Sequence, residues 1–306
     1  MKTFLQLSLL LVFALPTMAQ REIELRVVNK NTNEPVAFAH ATFDSIRGAI
    51  FNERGELTLI ITDEQATQPL IISCIGYRSQ KVWLDLSQTQ QIVRLEPIAI
   101  ELPEIVINPD HWRVTQIGNT RRVRRTVGGG FLLSAGCQIA LLVQTPNRDN
   151  FLQNIHFFIR RDGHPQEKFR AIIYRVDKET GLPGEVAIES NIILSGETGH
   201  EWVSYDVSRF GITVPEEGLF IAMEWLPESA ERSFYEGTRG TTEIITHGQR
   251  LGGYTLSRGF ERHERTVAQG LMSSRFHQML WGFSRVSSSS SLKLIPFIRA
   301  DVIERQ

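Results

Sequence analysis

Apolar and polar positions alternate with a period of two through much of the chain, in short runs parted by turn signals. Glu22-Ile23-Glu24-Leu25-Arg26-Val27 is such a run, the pattern of a half-buried strand. A polar turn from Asn29 to Pro35 leads into an extended stretch, 36–43, and Asn52-Glu53-Arg54-Gly55 marks another turn. Strands are then expected at 56–61, 70–74, 80–84 and 91–95, with Gly76-Tyr77 as a break. Gly55 and Gly76 stand where a turn or bulge needs positive φ or close backbone approach. The three prolines at 97, 103 and 109 predict an extended connection after this series.

Strand patterns resume beyond Phe131. They are expected at 151–159, apolar on both faces, and at 169–176, 188–194, 201–207, 218–225 and 292–303. A turn is expected at Gly181-Leu182-Pro183-Gly184, and no long 3.6-residue periodicity intervenes. Many short strands at this spacing predict an all-β chain of two sandwiches. The boundaries are 21–107 for the first domain, 108–130 for a basic, Gly-rich linker and 131–306 for a jelly-roll-like second domain.

Residues 1–20 read as a secretory signal: Lys2, an apolar run from Phe4 to Leu15, then Thr17-Met18-Ala19. That run is shorter than the roughly 20 residues a membrane helix needs, and no later stretch is longer and as apolar. The expectation is an exported protein without a transmembrane segment, in the periplasm, at the outer membrane or cell surface, or secreted. Cys74 and Cys137, the two cysteines, fall in different expected domains and read as buried thiols.

The net charge is −1, which excludes a global field for nucleic acid. Residues 21–108 carry 8 basic and 12 acidic side chains, 109–130 carry 5 and 1, and 131–306 carry 19 and 21. The basic middle segment contains Arg121, Arg122, Arg124 and Arg125, a candidate patch for anionic headgroups or acidic glycans, but its favoured reading is a solvated linker or an edge strand whose charge discourages pairing.

Several first-half motifs occur in order: Val27-Val28-Asn29 with Thr32-Asn33-Glu34-Pro35-Val36, Asn52-Glu53-Arg54-Gly55-Glu56-Leu57, Ile72-Ser73-Cys74-Ile75-Gly76-Tyr77, and Val93-Arg94-Leu95-Glu96-Pro97 with Leu102-Pro103-Glu104-Ile105. This series resembles the carboxypeptidase regulatory-like domain, a transthyretin-like β-sandwich, in the variant common in exported Bacteroidota proteins. The resemblance implies an accessory folding or docking module without catalysis of its own. The second half resembles the second domain of a group of such proteins in Arg170 to Tyr174, Gly181 to Gly184, Trp202 with Asp206-Val207-Ser208, and Glu224-Trp225-Leu226.

Enzyme-like fragments are sparse. His164-Pro165-Gln166-Glu167 has the spacing of two zinc ligands, with His263 or His277 as a distant third, but its turn context favours a solvated loop. Gly282-Phe283-Ser284-Arg285 lacks the closing glycine of a nucleophile elbow, Cys137 has no histidine near it in sequence, and Gly128–Gly130 lacks the lysine of a phosphate loop. Asp177, Glu179 and Gly181 are too few for a calcium loop and read as a hairpin turn. His156 reads as a core histidine between Leu152 and Phe158, and Trp225 as core beside Leu219, Ile221 and Met223.

The leading candidate is Trp202. Alternation puts Val203, Tyr205 and Val207 inward and Trp202, Ser204 and Asp206 outward, where an aromatic beside polar groups suits a sugar ring. The expected function is therefore an envelope-associated binding or docking protein for a glycan or protein, without catalysis, cofactor or metal. A hydrolase with a site assembled from scattered residues, metal-dependent or not, and a structural or assembly factor of the outer envelope are the alternatives.

Overall fold

A computed structural model of the chain describes residues 21–43, 48–99, 112–119, 130–131, 135–161, 164–227, 251–256, 266–269, 282–283 and 293–305. The signal-like segment 1–20 and the arginines at 121, 122, 124 and 125 lie outside the described residues.

The chain is all-β, as the alternation predicts. In the first domain, β1 (Arg21–Asn29), β2 (His40–Thr42), β3 (Gly48–Ile50), β4 (Glu56–Ile61), β5 (Leu70–Ser73), β6 (Gln80–Val82) and β7 (Gln90–Leu95) form two sheets. Their orders are β4-β1-β7, with β1 and β7 parallel, and β3-β2-β5-β6. Every second residue of β1 turns inward, so Ile23, Leu25 and Val27 join Leu57, Ile61, Leu70, Ile72, Val93 and Leu95 in one core between the sheets. The Asn52–Gly55 turn closes as expected: Asn52 Oδ1 accepts the N–H groups of Arg54 and Glu56, and Gly55 has φ +68° with Val27 O where a Cβ would stand. One short helix, α1 (Asp63–Ala66), went unread in the sequence; Thr62 and Gln65 form a capping box that starts it.

The second domain contains β8 (Trp112–Gly118), β9 (Gly130–Phe131), β10 (Gln138–Val143), β11 (Asn150–Ile159), β12 (Phe169–Val176), β13 (Pro183–Val186), β14 (Ile192–Leu194), β15 (Glu201–Asp206), β16 (Leu219–Trp225), β17 (Leu251–Leu256), β18 (Thr266–Gln269), β19 (Gly282–Phe283), β20 (Lys293–Pro296) and β21 (Ile298–Arg305). One sheet runs β13-β12-β16-β10-β18-β19, with β14 on β12; the other runs β20-β17-β11-β21-β8, with β15 on β11 and β9 on β17. The core between them holds Ile139, Leu141, Phe157, Phe169, Ile221, Met223, Trp225 and Val302, which puts Trp225 where alternation placed it. The stretch expected as one strand at 292–303 is two, β20 and β21, that turn at Phe297. β8 lies in the segment read as linker, yet it pairs with β21 along its whole length and so belongs to the second sandwich. Its weak alternation, with Arg113, Val114 and Gln116 exposed, hid it. Cys74 and Cys137 are both buried and are not joined in a disulfide.

β10 and β16 are buried on both faces. Their inward residues line the core, while Ala140, Leu142, Phe220 and Ala222 on the outer face form a second cluster that Ile75 of the first domain packs against. The domains meet across this face. Phe38, Ile50 and Leu226 make an apolar contact beside it, and the centre is polar. Arg170 and Glu224 are cross-strand partners on β12 and β16, 98–100% buried, with Nη1 2.6 Å from Oε2. Arg170 also donates from Nε to Asn191 Oδ1 (2.8 Å) and from Nη2 to the Phe38 carbonyl, and Asn191 Nδ2 donates to the Ala37 carbonyl (3.2 Å). His40 Nε2 lies 2.9 Å from Glu224 Oε1 and 3.2 Å from Arg170 Nη1. It cannot donate to the carboxylate and accept from the guanidinium at once. Of the two contacts, the one with Arg170 Nη1 has hydrogen-bond geometry. The approach to Oε1 is off axis and serves as a charge contact more than a straight hydrogen bond. Phe38 holds φ +57°, a conformation costly for an aromatic residue, and its carbonyl is the one Arg170 grips.

Burial alone would raise the Glu224 pKa, but the Arg170 guanidinium and the His40 imidazole overcome it and hold the carboxyl down to about 2. A depressed carboxylate stabilises the fold fully above its unfolded pKa, and that contribution is lost as pH falls towards the folded value. Denaturant titrations from pH 7 to 3 should therefore show stability falling below about pH 5 in the wild type, and a shallower acid limb in Glu224→Gln. Arg170→Ala should cost about 3–5 kcal/mol, since it strands a buried carboxylate, and Arg170→Met/Glu224→Gln should be less destabilised than Arg170→Ala.

Candidate functional site

The outer face of the β8-β21-β11-β15 sheet gathers the sequence candidates. β15 pairs with β11 so that Asp206 stands opposite Asn154, Ser204 opposite His156 and Trp202 opposite Phe158. On the other side of β11, β21 sets Asp301 beside Asn154 and Arg299 beside His156, and β8 sets Gln116 beside Asp301. Two polar rows result, Gln116-Asp301-Asn154-Asp206 and Arg299-His156-Ser204. They are bounded by an aromatic group of Phe297, Phe158 and Trp202. Val203 and Tyr205 pack against the core and Ser204 and Asp206 are exposed, so the parity read for β15 holds.

His156 departs from its expected place. A bulge between Leu152 and Asn154 shifts the β11 register, so that Leu152 and Ile155 both point inward and the parity beyond them reverses. His156 therefore lies on the outer face with Phe158, 7% exposed because its neighbours cover it, and is absent from the apolar core. Its Nδ1 is 2.7 Å from Ser204 Oγ, and its Nε2 is 2.9 Å from Asp301 Oδ2. The second contact is close but bent, within ion-pair distance without full hydrogen-bond alignment. Asp301 is fixed from both sides: Gln116 Nε2 donates to Oδ1 (3.0 Å) and Asn154 Nδ2 to Oδ2 (3.2 Å). Although burial works the other way, these donors and His156 hold the Asp301 carboxyl below its usual range. Burial pushes the His156 imidazole below its ordinary pKa, and Arg299 adds to this while Asp301 opposes it. Neutral imidazole is the resting form near pH 7.

The edge strand β15 is held at both ends. Glu201 Oε1 accepts the N–H groups of Glu197, Thr198 and Gly199, each at 2.8 Å, which clamps the left-handed Gly199-His200 turn that precedes Trp202. At the far end Asp206 Oδ1 accepts from Ser208 N, and Val207 N donates to the carbonyl of Gln153 in the bulge. Trp202 is half-buried, with the Arg299 guanidinium over its ring at 3.9 Å and the Phe158 ring edge-on at 5.5 Å. One face of the indole is thus already covered. The surface presented there is the guanidinium, a planar fork of donors whose Nε is buried without a hydrogen-bond partner.

The other candidates do not join this face. His164 is exposed and lies 4.0 Å from Glu167 in a turn; His263 and His277 are outside the described residues. No group of three or more His, Cys, Asp or Glu among the described residues could hold a metal ion. Asp177 Oδ1 accepts from Glu179 N, Thr180 N and Thr180 Oγ1, the internal bonding of a hairpin turn. Burial raises the Cys74 thiol to about 11, which leaves it protonated and inert.

NMR titration of His156 should give a midpoint below its ordinary 6.5. Asp301→Asn should lower it further, because the carboxylate is the group that favours the imidazolium.

Compared with known proteins, the chain matches no family model, no curated protein and no solved structure.

Proposed function

We propose that the protein is an exported, envelope-associated binding protein that recognises a glycan on the outer face of the β8-β21-β11-β15 sheet. The observation that carries this reading is the pairing of an Arg299–Trp202 stack with exposed planar polar groups in register beside it. Vicinal sugar hydroxyls present paired donors and acceptors at a spacing that a guanidinium, a carboxylate or a side-chain amide meets with two atoms. Asp206 and Gln116 are exposed, and Arg299 offers its fork above the indole. The centres of protein–protein interfaces are depleted in Asp and rich in apolar area, which favours a polyhydroxylated ligand over a protein for this face.

The first domain acts as the accessory module. This reading rests on the carboxypeptidase regulatory-like resemblance of its sequence motifs. Export rests on the charge, apolar run and small residues of the first 20 positions. Among the described residues no helix is long and apolar enough to cross a membrane.

Affinity electrophoresis against envelope polysaccharides, followed by calorimetry on those that retain the protein, tests the reading. Asp206→Ala and Trp202→Ala should each weaken binding about tenfold or more, the equivalent of one good polar or stacking contact. If folded wild type is retained by no polysaccharide, or both variants bind as well as wild type, this face is not a glycan site.

A further inference from the structure

The face holds more chemistry than recognition requires. A hydroxyl, an imidazole and a carboxylate stand in line across three strands: Ser204 on β15, His156 on β11 and Asp301 on β21. Each has the environment its role would need. Ser204 is exposed and reachable. His156 is enclosed by neighbours that fix its ring. Asp301 is pinned by Gln116 and Asn154, so its carboxylate keeps one orientation towards Nε2. The Arg299 guanidinium, reaching over β11 to Trp202, ends beside the residue two places before Ser204 on the same face of β15.

We propose that Ser204, His156 and Asp301 form a nucleophile–base–orienter array that hydrolyses acyl esters carried on glycan hydroxyls, with Arg299 as the cation for the developing oxyanion. This rests on the glycan reading for the substrate class and adds a reaction to it. Ser204 Oγ attacks the ester carbonyl carbon while its proton passes to His156 Nδ1. The tautomer that accepts at Nδ1 carries its own proton on Nε2, facing Asp301, whose charge stabilises the imidazolium that forms. The carbonyl oxygen becomes the oxyanion on the Arg299 side. Collapse breaks the carbon–oxygen bond to the sugar, and the Nδ1 proton goes to the departing alkoxide. Water then attacks the acyl-serine, gives its proton to Nδ1, and Ser204 leaves with that proton. Ester and water become carboxylic acid and alcohol, with no other reactant. The depressed basicity of His156 keeps it neutral, as a general base must be before each attack.

Ser204 and Asp301 are positioned differently in the reaction. Ser204 and His156 are catalytic; Asp301 acts through His156 and is a positioning residue. The test uses the purified full chain, a fluorophosphonate probe, p-nitrophenyl acetate and the polysaccharide retained in the binding assay. The probe should attach to Ser204, located by mass spectrometry, and Ser204→Ala should lose both the adduct and at least ~100-fold of ester turnover. Ser204 is exposed, so this variant should keep the wild-type melting curve. Asp301→Asn should lower kcat and move the acid limb of the pH–rate profile to lower pH, which a purely structural role would not do. The proposal is overturned if folded wild type gains no Ser204 adduct, or if Ser204→Ala turns over the ester like wild type. Glycan retention by Ser204→Ala keeps the two readings apart. Retention without esterase activity in the wild type would sink the triad alone, and Ser204-dependent turnover without retention would sink the glycan assignment alone.

Discussion

A guanidinium and a carboxylate buried together between two sandwiches set the terms for the rest of the molecule. Arg170 and Glu224 are extracted from water, which is costly, and the cost is offset by their own pairing, by the bonds Arg170 gives Asn191 and the Phe38 carbonyl, and by the nearby His40. Their partners come from both domains: Asn191 from the second, and His40 with the Phe38 carbonyl from the first. Such a node is intolerant of sliding. A displacement of the first domain by an ångström would part the Phe38 and Ala37 carbonyls and His40 from Arg170, Asn191 and Glu224 and leave polar groups unmet in a dry interface, whereas an apolar contact of the same area would lose little. The flanking contact of Phe38, Ile50 and Leu226 contributes area; the bonds from Arg170 and Asn191 to the Phe38 and Ala37 carbonyls contribute register.

The strained Phe38 belongs to the same economy of constraint. A left-handed aromatic residue persists only where its surroundings over-determine it. Here the side chain is buried against Leu226 and Ile50 while the carbonyl is held by Arg170. The two segments that the sequence resemblance singled out in the second half, Arg170 to Tyr174 and Glu224-Trp225-Leu226, turn out to be the parts of β12 and β16 that grip the first domain.

Strand identity was legible wherever one face of a strand is wet. Glu56–Ile61 and Glu201–Asp206 could be read from alternation almost to the residue. The reading weakened where alternation carries no information. β10 is buried throughout and has no polar side to contrast, and β8 is exposed enough to pass for linker. At the candidate site Trp202, Ser204 and Asp206 were found because they share one strand. His156, Arg299 and Asp301 were not, for two different reasons. The bulge after Leu152 reverses the parity that alternation assumes, which put His156 on the wrong side of its strand. Arg299 and Asp301 meet Ser204 only through the antiparallel pairing of three strands from distant parts of the chain, and single-strand periodicity does not encode which strands become neighbours.

The opposed use of the two sheets has a consequence for how the protein meets its surroundings. Ile75 and the Arg170 node occupy the outer side of one sheet, and the Trp202 rows occupy the outer side of the other. The docking face and the candidate site therefore look away from each other across one sandwich, a thickness set by a sheet spacing of about 10 Å and the side chains outside it. Anything that holds the first domain against a wall leaves the Trp202 face turned outward. The first sandwich would then act as a spacer of fixed length and direction.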